Sequence, residues 1–265
     1  MATSFDNIIK INKESSLFLS QIADSYRNKK MDRFFIQFYT LNIIRRIVFY
    51  QRAIIPLIYE LNKNINFEFP IAILLRAACL DILQFGYVIK ALDEVKIDSN
   101  NPQPHIIPDY TDFKKITKSI YCDNLFNQLS DWKTLKDADT ITDSDLKLLT
   151  EKMYRDFPEY FPESNGKKCK SPKTRDIFVI LRKDNKYDLF SDVFYYYSYY
   201  SKLEHFGILS YVYSKSENTN LTEAFNKIKH ISYTFLKVSQ RGLLFLKRED
   251  FDVKKMDEWI DELLK

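Results

Sequence analysis

The chain has 265 residues, 45% hydrophobic and 29% charged, which fits one globular domain over 1–265 and excludes disordered and fibrous classes. Only 4 Gly argue against turn-rich all-β folds and Gly-rich phosphate loops, while 21 Phe and 18 Tyr require a core built on aromatic rings. A net charge of +4, from 40 basic and 36 acidic residues, is too small to argue for nucleic acid by itself.

The three cysteines, Cys79, Cys122 and Cys169, are widely spaced and never form a C-x-x-C pair. They suggest a reducing compartment and no zinc ribbon. MATSFDNIIKINKESS has no basic n-region leading into an apolar h-region, so no signal peptide is expected and the location expected is cytoplasmic.

The first predicted helix covers Ser4 to Arg27, where Phe5, Ile8, Ile9, Leu17, Leu19, Ile22 and Ala23 form an imperfect apolar stripe. A longer helix, Asp32 to Asn62, carries Phe35, Tyr39, Ile43, Ile47, Tyr50, Ile54 and Leu57 at helical spacing. Pro56 is expected to kink or divide it. Arg45, Arg46 and Arg52 form a basic group on this helix. It reads either as a solvated face with acidic partners or as a set of phosphate contacts.

A third helix starts at Pro70 and runs to Leu92. The stretch Phe69 to Ile89 is long enough to span a bilayer, but Arg76 and Asp81 near its middle would each cost about 2.5–3.5 kcal/mol there. The expectation is the central helix of a soluble bundle, not membrane insertion. A buried Arg76 requires a partner. Asp81 lies roughly 140° round the helix, so that partner is expected on another helix.

The texture then changes. Residues 94–175 hold Pro102, Pro104, Pro108, Pro158, Pro162 and Pro172, with polar runs such as DSNNPQPH. Two short helices are predicted there, at Thr111–Leu129 and from Thr142 to before Pro158, the second opened by a capping box. The segment reads as a polar, Pro-containing insertion or lid, since it has too few apolar residues for its own core. Its basic loop, Asn165–Arg175, is either a solvated loop or a contact for an anion.

After a short helix at Arg175–Arg182, where Ile177–Leu181 would also suit a strand by composition, comes the Tyr-rich central helix, Asp188 to Ser214. Amphipathic helices at Leu221–Leu246 and Val253–Leu264 close the chain. The whole is an all-α helical bundle, with the Pro70–Leu92 and Asp188–Ser214 helices at its centre.

On the central helix Ser201 and His205 are four apart and share a face, which Ser198 and Phe194 extend. Lys202 flanks it, and Tyr197 and Tyr200 are neighbours. A serine hydrolase would need a G-x-S-x-G elbow, which is missing, and a metal site would need more ligands than the isolated His105 and His230 supply. The pattern implies no cofactor. It does suit metal-independent RNA cleavage: His205 as acid/base, Arg76 or Lys202 stabilising the phosphate, Ser201 and Tyr200 orienting the site. The competing reading makes His205 a hydrogen-bonded core residue in a non-catalytic binding or scaffolding module.

Tyr197-x-x-Tyr200-Ser201-x-x-x-His205 resembles the Tyr-x-x-Leu-Ser-x-x-x-His motif of a group of uncharacterised all-α bacterial proteins similar to the HEPN (higher eukaryotes and prokaryotes nucleotide-binding) superfamily. Their earlier helix carries an Arg in an apolar run, as ILLRAACLDIL does at Arg76. The resemblance covers Phe35 to Tyr213 in loose outline and is specific only in these two motifs. It implies a HEPN-like bundle, a homodimer meeting at the His-bearing helices, RNA or a nucleotide as ligand, and an RNase-type role in bacterial stress or phage defence. Active HEPN ribonucleases carry an Arg shortly before the His; Ser198, Tyr199 and Tyr200 occupy that interval here.

Overall fold

The computed structural model describes residues 5–27, 36–64, 68–98, 110–156, 172–204, 221–246 and 253–265. All of its regular structure is helical, with no strand among the described residues, so the chain is an all-α bundle.

Helix α1 (Phe5–Ser25) buries Ile8, Ile11, Leu19 and Ile22 against α2 (Ile36–Leu61). Helix α2 runs unbroken through Pro56, against the expectation of a division there. The physical reason is position. Pro56 lies on the exposed face, where water can hydrogen-bond the carbonyl that its missing N–H leaves free. Ile43, Ile47, Ile54 and Ile58 face the core on the opposite side.

Helix α3 (Glu68–Asp98) is the central element. Among the described residues it alone is long and apolar enough to cross a membrane, and Leu75, Ala78, Cys79, Ile82, Leu83 and Phe85 are buried in the bundle. Pro70 sits in its first turn, where no N–H is required.

Within the segment expected as an insertion, α4 (Tyr110–Asp137) packs on α3 and is longer than the predicted Thr111–Leu129. Helix α5 (Asp143–Asp156) packs on α4 and opens as predicted: the Asp145 N–H donates to Thr142 Oγ1 at 3.1 Å and the Thr142 N–H to Asp145 Oδ2 at 3.0 Å. Of the basic loop Asn165–Arg175, residues 165–171 lie outside the described residues.

Helix α6 (Thr174–Leu181) contains the IFVIL run, so that run is helical and not a strand. Its two buried residues, Ile177 and Leu181, are four apart, a helical spacing that overrides the β-propensity of the composition.

The Tyr-rich segment was expected to be one helix from Asp188. Instead a 3-10 turn (Asn185–Tyr187) leads into α7 (Asp188–Ser191), and α8 (Val193–Glu204) follows after a one-residue interruption at Asp192. Asp192 keeps helical dihedrals, so the axis barely breaks. Its carboxylate turns outward to Arg182 at 3.1 Å, while Phe190 is fully buried beside it. Residues 205–220, the rest of the predicted helix, lie outside the described residues.

Helix α9 (Leu221–Phe245) packs on α2, and α10 (Val253–Leu264) covers α9 and α1. A polar seam crosses this side of the core. Asn12 donates to Ser232 Oγ at 2.9 Å, and Gln51 donates to Ser15 Oγ at 2.8 Å, all four residues being fully buried. Such bonds add little net stability but fix which residues face one another.

Candidate functional site

Helices α3 and α8 pack extensively on each other. Residue numbers run in opposite directions across the contact, from Asp93–Tyr187 through Gly86–Phe190 to Arg76–Ser201, so the helices are antiparallel. Just before α8, the close approach of α7 to α3 depends on Gly86. A Cβ there would lie 2.6 Å from Phe190 Cβ. The glycine makes room for the Phe190 ring, whose full burial is worth about 1.5–3 kcal/mol.

At the α8 C-terminal end of this contact the two sequence motifs meet. Arg76 Nε donates to Ser201 Oγ at 3.0 Å, and the guanidinium carbon lies 5.5 Å from the Tyr197 ring centroid. Tyr197 continues into an aromatic column. Phe194 is stacked with it at 6.2 Å, and Phe178 of α6 is stacked on Phe194 at 4.4 Å. The cation therefore caps a row of rings, an arrangement that favours guanidinium because it is planar and weakly hydrated. The predicted inter-helix partner for Arg76 is thus Ser201.

The other predicted residues take different places. Tyr200 is 1% exposed, and burial pushes its phenol well above the ordinary range. Its ring packs edge-on against Tyr199 at 5.3 Å. Lys202 is exposed and makes no hydrogen bond or ion pair with the described residues. His205 lies outside the described residues, as does His105. His230 is partly buried and stacked on Tyr196 at 4.9 Å, and burial lowers its pKa, opposed by the Asp192 carboxylate.

Three further polar groups line α3. Glu68 accepts from Tyr199 OH at 3.0 Å and faces Lys227 at 3.6 Å, with the Glu68 and Lys227 side chains only 8% and 12% exposed. The Lys227 ammonium sits 3.4 Å from the Tyr199 ring centroid and reaches Glu223 at 2.7 Å. Asp93 accepts from Lys186 at 2.8 Å and from Tyr187 OH at 2.7 Å, with Arg241 at 3.5 Å. Burial pushes the Asp93 carboxyl up, but these donors and positive charges outweigh it and hold the pKa below the usual value. On the other flank Asp81 takes Arg46 Nε and Tyr50 OH, both from α2. Burial raises the Asp81 pKa and, with the neighbouring carboxylate, moves the Tyr50 phenol up to about 12.

The basic group on α2 is thereby divided. Arg46 belongs to Asp81, whereas Arg45 and Arg52 are exposed and make no ion pair with the described residues. Sequence reasoning missed the Glu68–Tyr199–Lys227 cluster. Its one local signal was an acidic residue two before Pro70, which by itself reads as an ordinary first-turn Glu. Among the described residues no group of three His, Cys, Asp or Glu is placed to hold a metal.

No protein-family model, curated protein or solved structure matches the chain. The fold and the contacts between α3 and α8 are therefore the basis for reading function.

Proposed function

We infer that this is a HEPN-like protein acting as a metal-independent RNase-type effector in bacterial stress or phage defence. The observation that carries the reading is the Arg76–Ser201 hydrogen bond of 3.0 Å, which joins the Arg-bearing apolar helix to the Tyr-x-x-x-Ser face that leads to His205. A guanidinium braced by Ser201 and the Tyr197 ring is pre-oriented, so it can meet a phosphate without first losing side-chain freedom. His205, one helical turn beyond Ser201 in sequence, supplies the acid/base, and Lys202 a second cation. Tyr200 braces the helix from its buried side and keeps its proton. The working form is a homodimer whose His-bearing helices meet.

A specific observation also favours the binding-module reading. Ser201 and Tyr197 already engage Arg76 as a cross-brace between helices, which is a structural role complete in itself.

One experiment separates the two. The wild type, His205→Ala and Lys202→Gln are produced, and each is assayed for toxicity in cells, RNA integrity and melting temperature. The nuclease reading expects RNA cleavage and toxicity from the wild type, both abolished in His205→Ala at unchanged melting temperature. Intact RNA with the wild type would overturn it, and a large fall in melting temperature for His205→Ala would favour the binding module.

A further inference from the structure

We propose that the solvent face of α2 binds single-stranded nucleic acid, with Arg45 and Arg52 contacting phosphates and Phe49 stacking on a base. Arg45, Phe49, Arg52, Pro56 and Tyr59 all fall within an arc of roughly 80° at 100° per residue. All five are exposed, Phe49 at 61% and Tyr59 at 51%.

A single exposed aromatic is ordinary. What distinguishes Phe49 is that it lies between two guanidiniums without acidic partners among the described residues. Arg46, about 100° further round, is taken up by Asp81 and Tyr50. Arg45 and Arg52 are separated by seven residues, about 10.5 Å along the axis, with Phe49 near the midpoint. That spacing suits two phosphates flanking one stacked base. The local charge agrees, since Glu60, beyond the far end of the stripe, is held by Lys63 at 2.8 Å.

An alternating cation–ring–cation face is how sequence-tolerant single-strand binders work: charge follows the backbone and rings take the bases. An anionic lipid surface would also attract arginines, but an interfacial helix needs a broad apolar face. The broad apolar face of α2 is buried in the core through Ile43, Ile47, Ile54 and Ile58, leaving only a narrow aromatic stripe outside.

The surface has an outlet toward the other site. On α3 the exposed Ile73 and Ala77 lie between the direction of Asp81, which faces α2, and that of Arg76, which faces α8. A strand on α2 would thus cross the outer face of α3 toward Arg76 and Ser201. This role as a feeder rests on the nuclease reading; the binding itself does not.

The test is fluorescence anisotropy of the full chain with a labelled oligodeoxyuridylate of about 12 nucleotides. Lacking 2′-hydroxyls, this probe reports binding without 2′-OH-dependent cleavage. Wild type is compared at several salt concentrations with Phe49→Ala, with Arg45→Gln/Arg52→Gln, and with Lys147→Gln/Lys152→Gln on exposed α5. The stacking contact predicts that Phe49→Ala weakens binding by roughly tenfold. The double Arg variant should lower the slope of log affinity against log salt by about 1.4. The α5 variant should behave as wild type. Circular dichroism melting of these exposed-site variants shows that the fold is retained. No binding by wild type, equal binding by the α2 variants, or binding to phosphatidylserine vesicles in place of the oligomer would each overturn the proposal. Binding without RNA cleavage would leave it standing while the nuclease reading falls.

Discussion

Arg76 and Ser201 stand 125 positions apart in the chain, yet the guanidinium Nε donates to the Ser201 hydroxyl at 3.0 Å. The strength of this bond is measurable by a double-mutant cycle. Ser201→Ala should destabilise by about 1–2 kcal/mol, as expected for one hydrogen bond from a charged donor. In Arg76→Met the Ser201→Ala effect should shrink, giving a coupling energy of about 1 kcal/mol in urea unfolding. Additive effects would show that the two residues do not act as a pair.

Gly86→Ala inverts the usual rule for a helix interior. Ala in place of Gly normally stabilises a helix by roughly 0.5–1 kcal/mol. At this position the added Cβ meets Phe190 Cβ at 2.6 Å, so a loss of about 1–3 kcal/mol is expected instead. Leu keeps the Cβ and Cγ that the added methyl meets, so Phe190→Leu in the Gly86→Ala background should not recover the loss. Thermal unfolding of the wild type, Gly86→Ala and the double variant measures both effects.

The Glu68–Lys227 contact predicts an asymmetry. Glu68→Gln removes the charge that Lys227 and Tyr199 share at a site only 8% exposed, and should cost about 1–3 kcal/mol. Lys227→Met leaves the buried Glu68 carboxylate with the Tyr199 donor but without the Lys227 charge, whereas in Glu68→Gln Lys227 still has Glu223 at 2.7 Å, so Lys227→Met should cost more. Denaturant midpoints of the two variants check the order.

His230 gives the stability a pH dependence. Burial lowers its folded-state pKa below the ordinary value of about 6.5, opposed by the Asp192 charge. The unfolded chain therefore takes up the proton first as pH falls. The stabilising contribution of neutral His230 is complete above the unfolded pKa and is lost as pH drops through the lower folded pKa. His230→Phe, which keeps a ring against Tyr196, should be less sensitive than wild type between about pH 7.5 and 5. A constant stability difference between the two across that range would refute the assignment.

The fold was legible where periodicity was strong. The apolar spacing in α1, α2, α9 and α10 follows from burial of one helix face, and that is what the bundle shows. The short helix read at Arg175–Arg182 is there as α6, because Ile177 and Leu181 both find the core. Legibility failed where a local rule met a tertiary circumstance: α2 is not divided at Pro56, which lies on its exposed face. The one-residue interruption of the Tyr-rich segment at Asp192 is announced by no local pattern. In the site, the need of Arg76 for a partner on another helix was readable from its apolar surroundings, and Ser201 meets that need. Glu68 and Lys227 were not readable, since they lie 159 positions apart and each looks like an ordinary surface charge in its own helix. His205 remains a reading from sequence, since its position lies outside the described residues.

The buried seam between α1 and α9 bears on how the chain acquires its structure during synthesis. Asn12 bonds Ser232 across 220 positions, Tyr26 OH donates to the Leu246 carbonyl across another 220, and Trp259 reaches Glu14 across 245. A ribosome adds about 5–20 residues per second, so α1 waits on the order of ten seconds or more before its partners emerge. Through that interval α2 is the main cover among the described residues for Ile8, Ile11, Leu19 and Ile22. The helical hairpin α1–α2 is thus the nascent chain's first shelter for its apolar surface, and substitutions that weaken it should lower the yield of soluble protein more than they lower the stability of the finished fold.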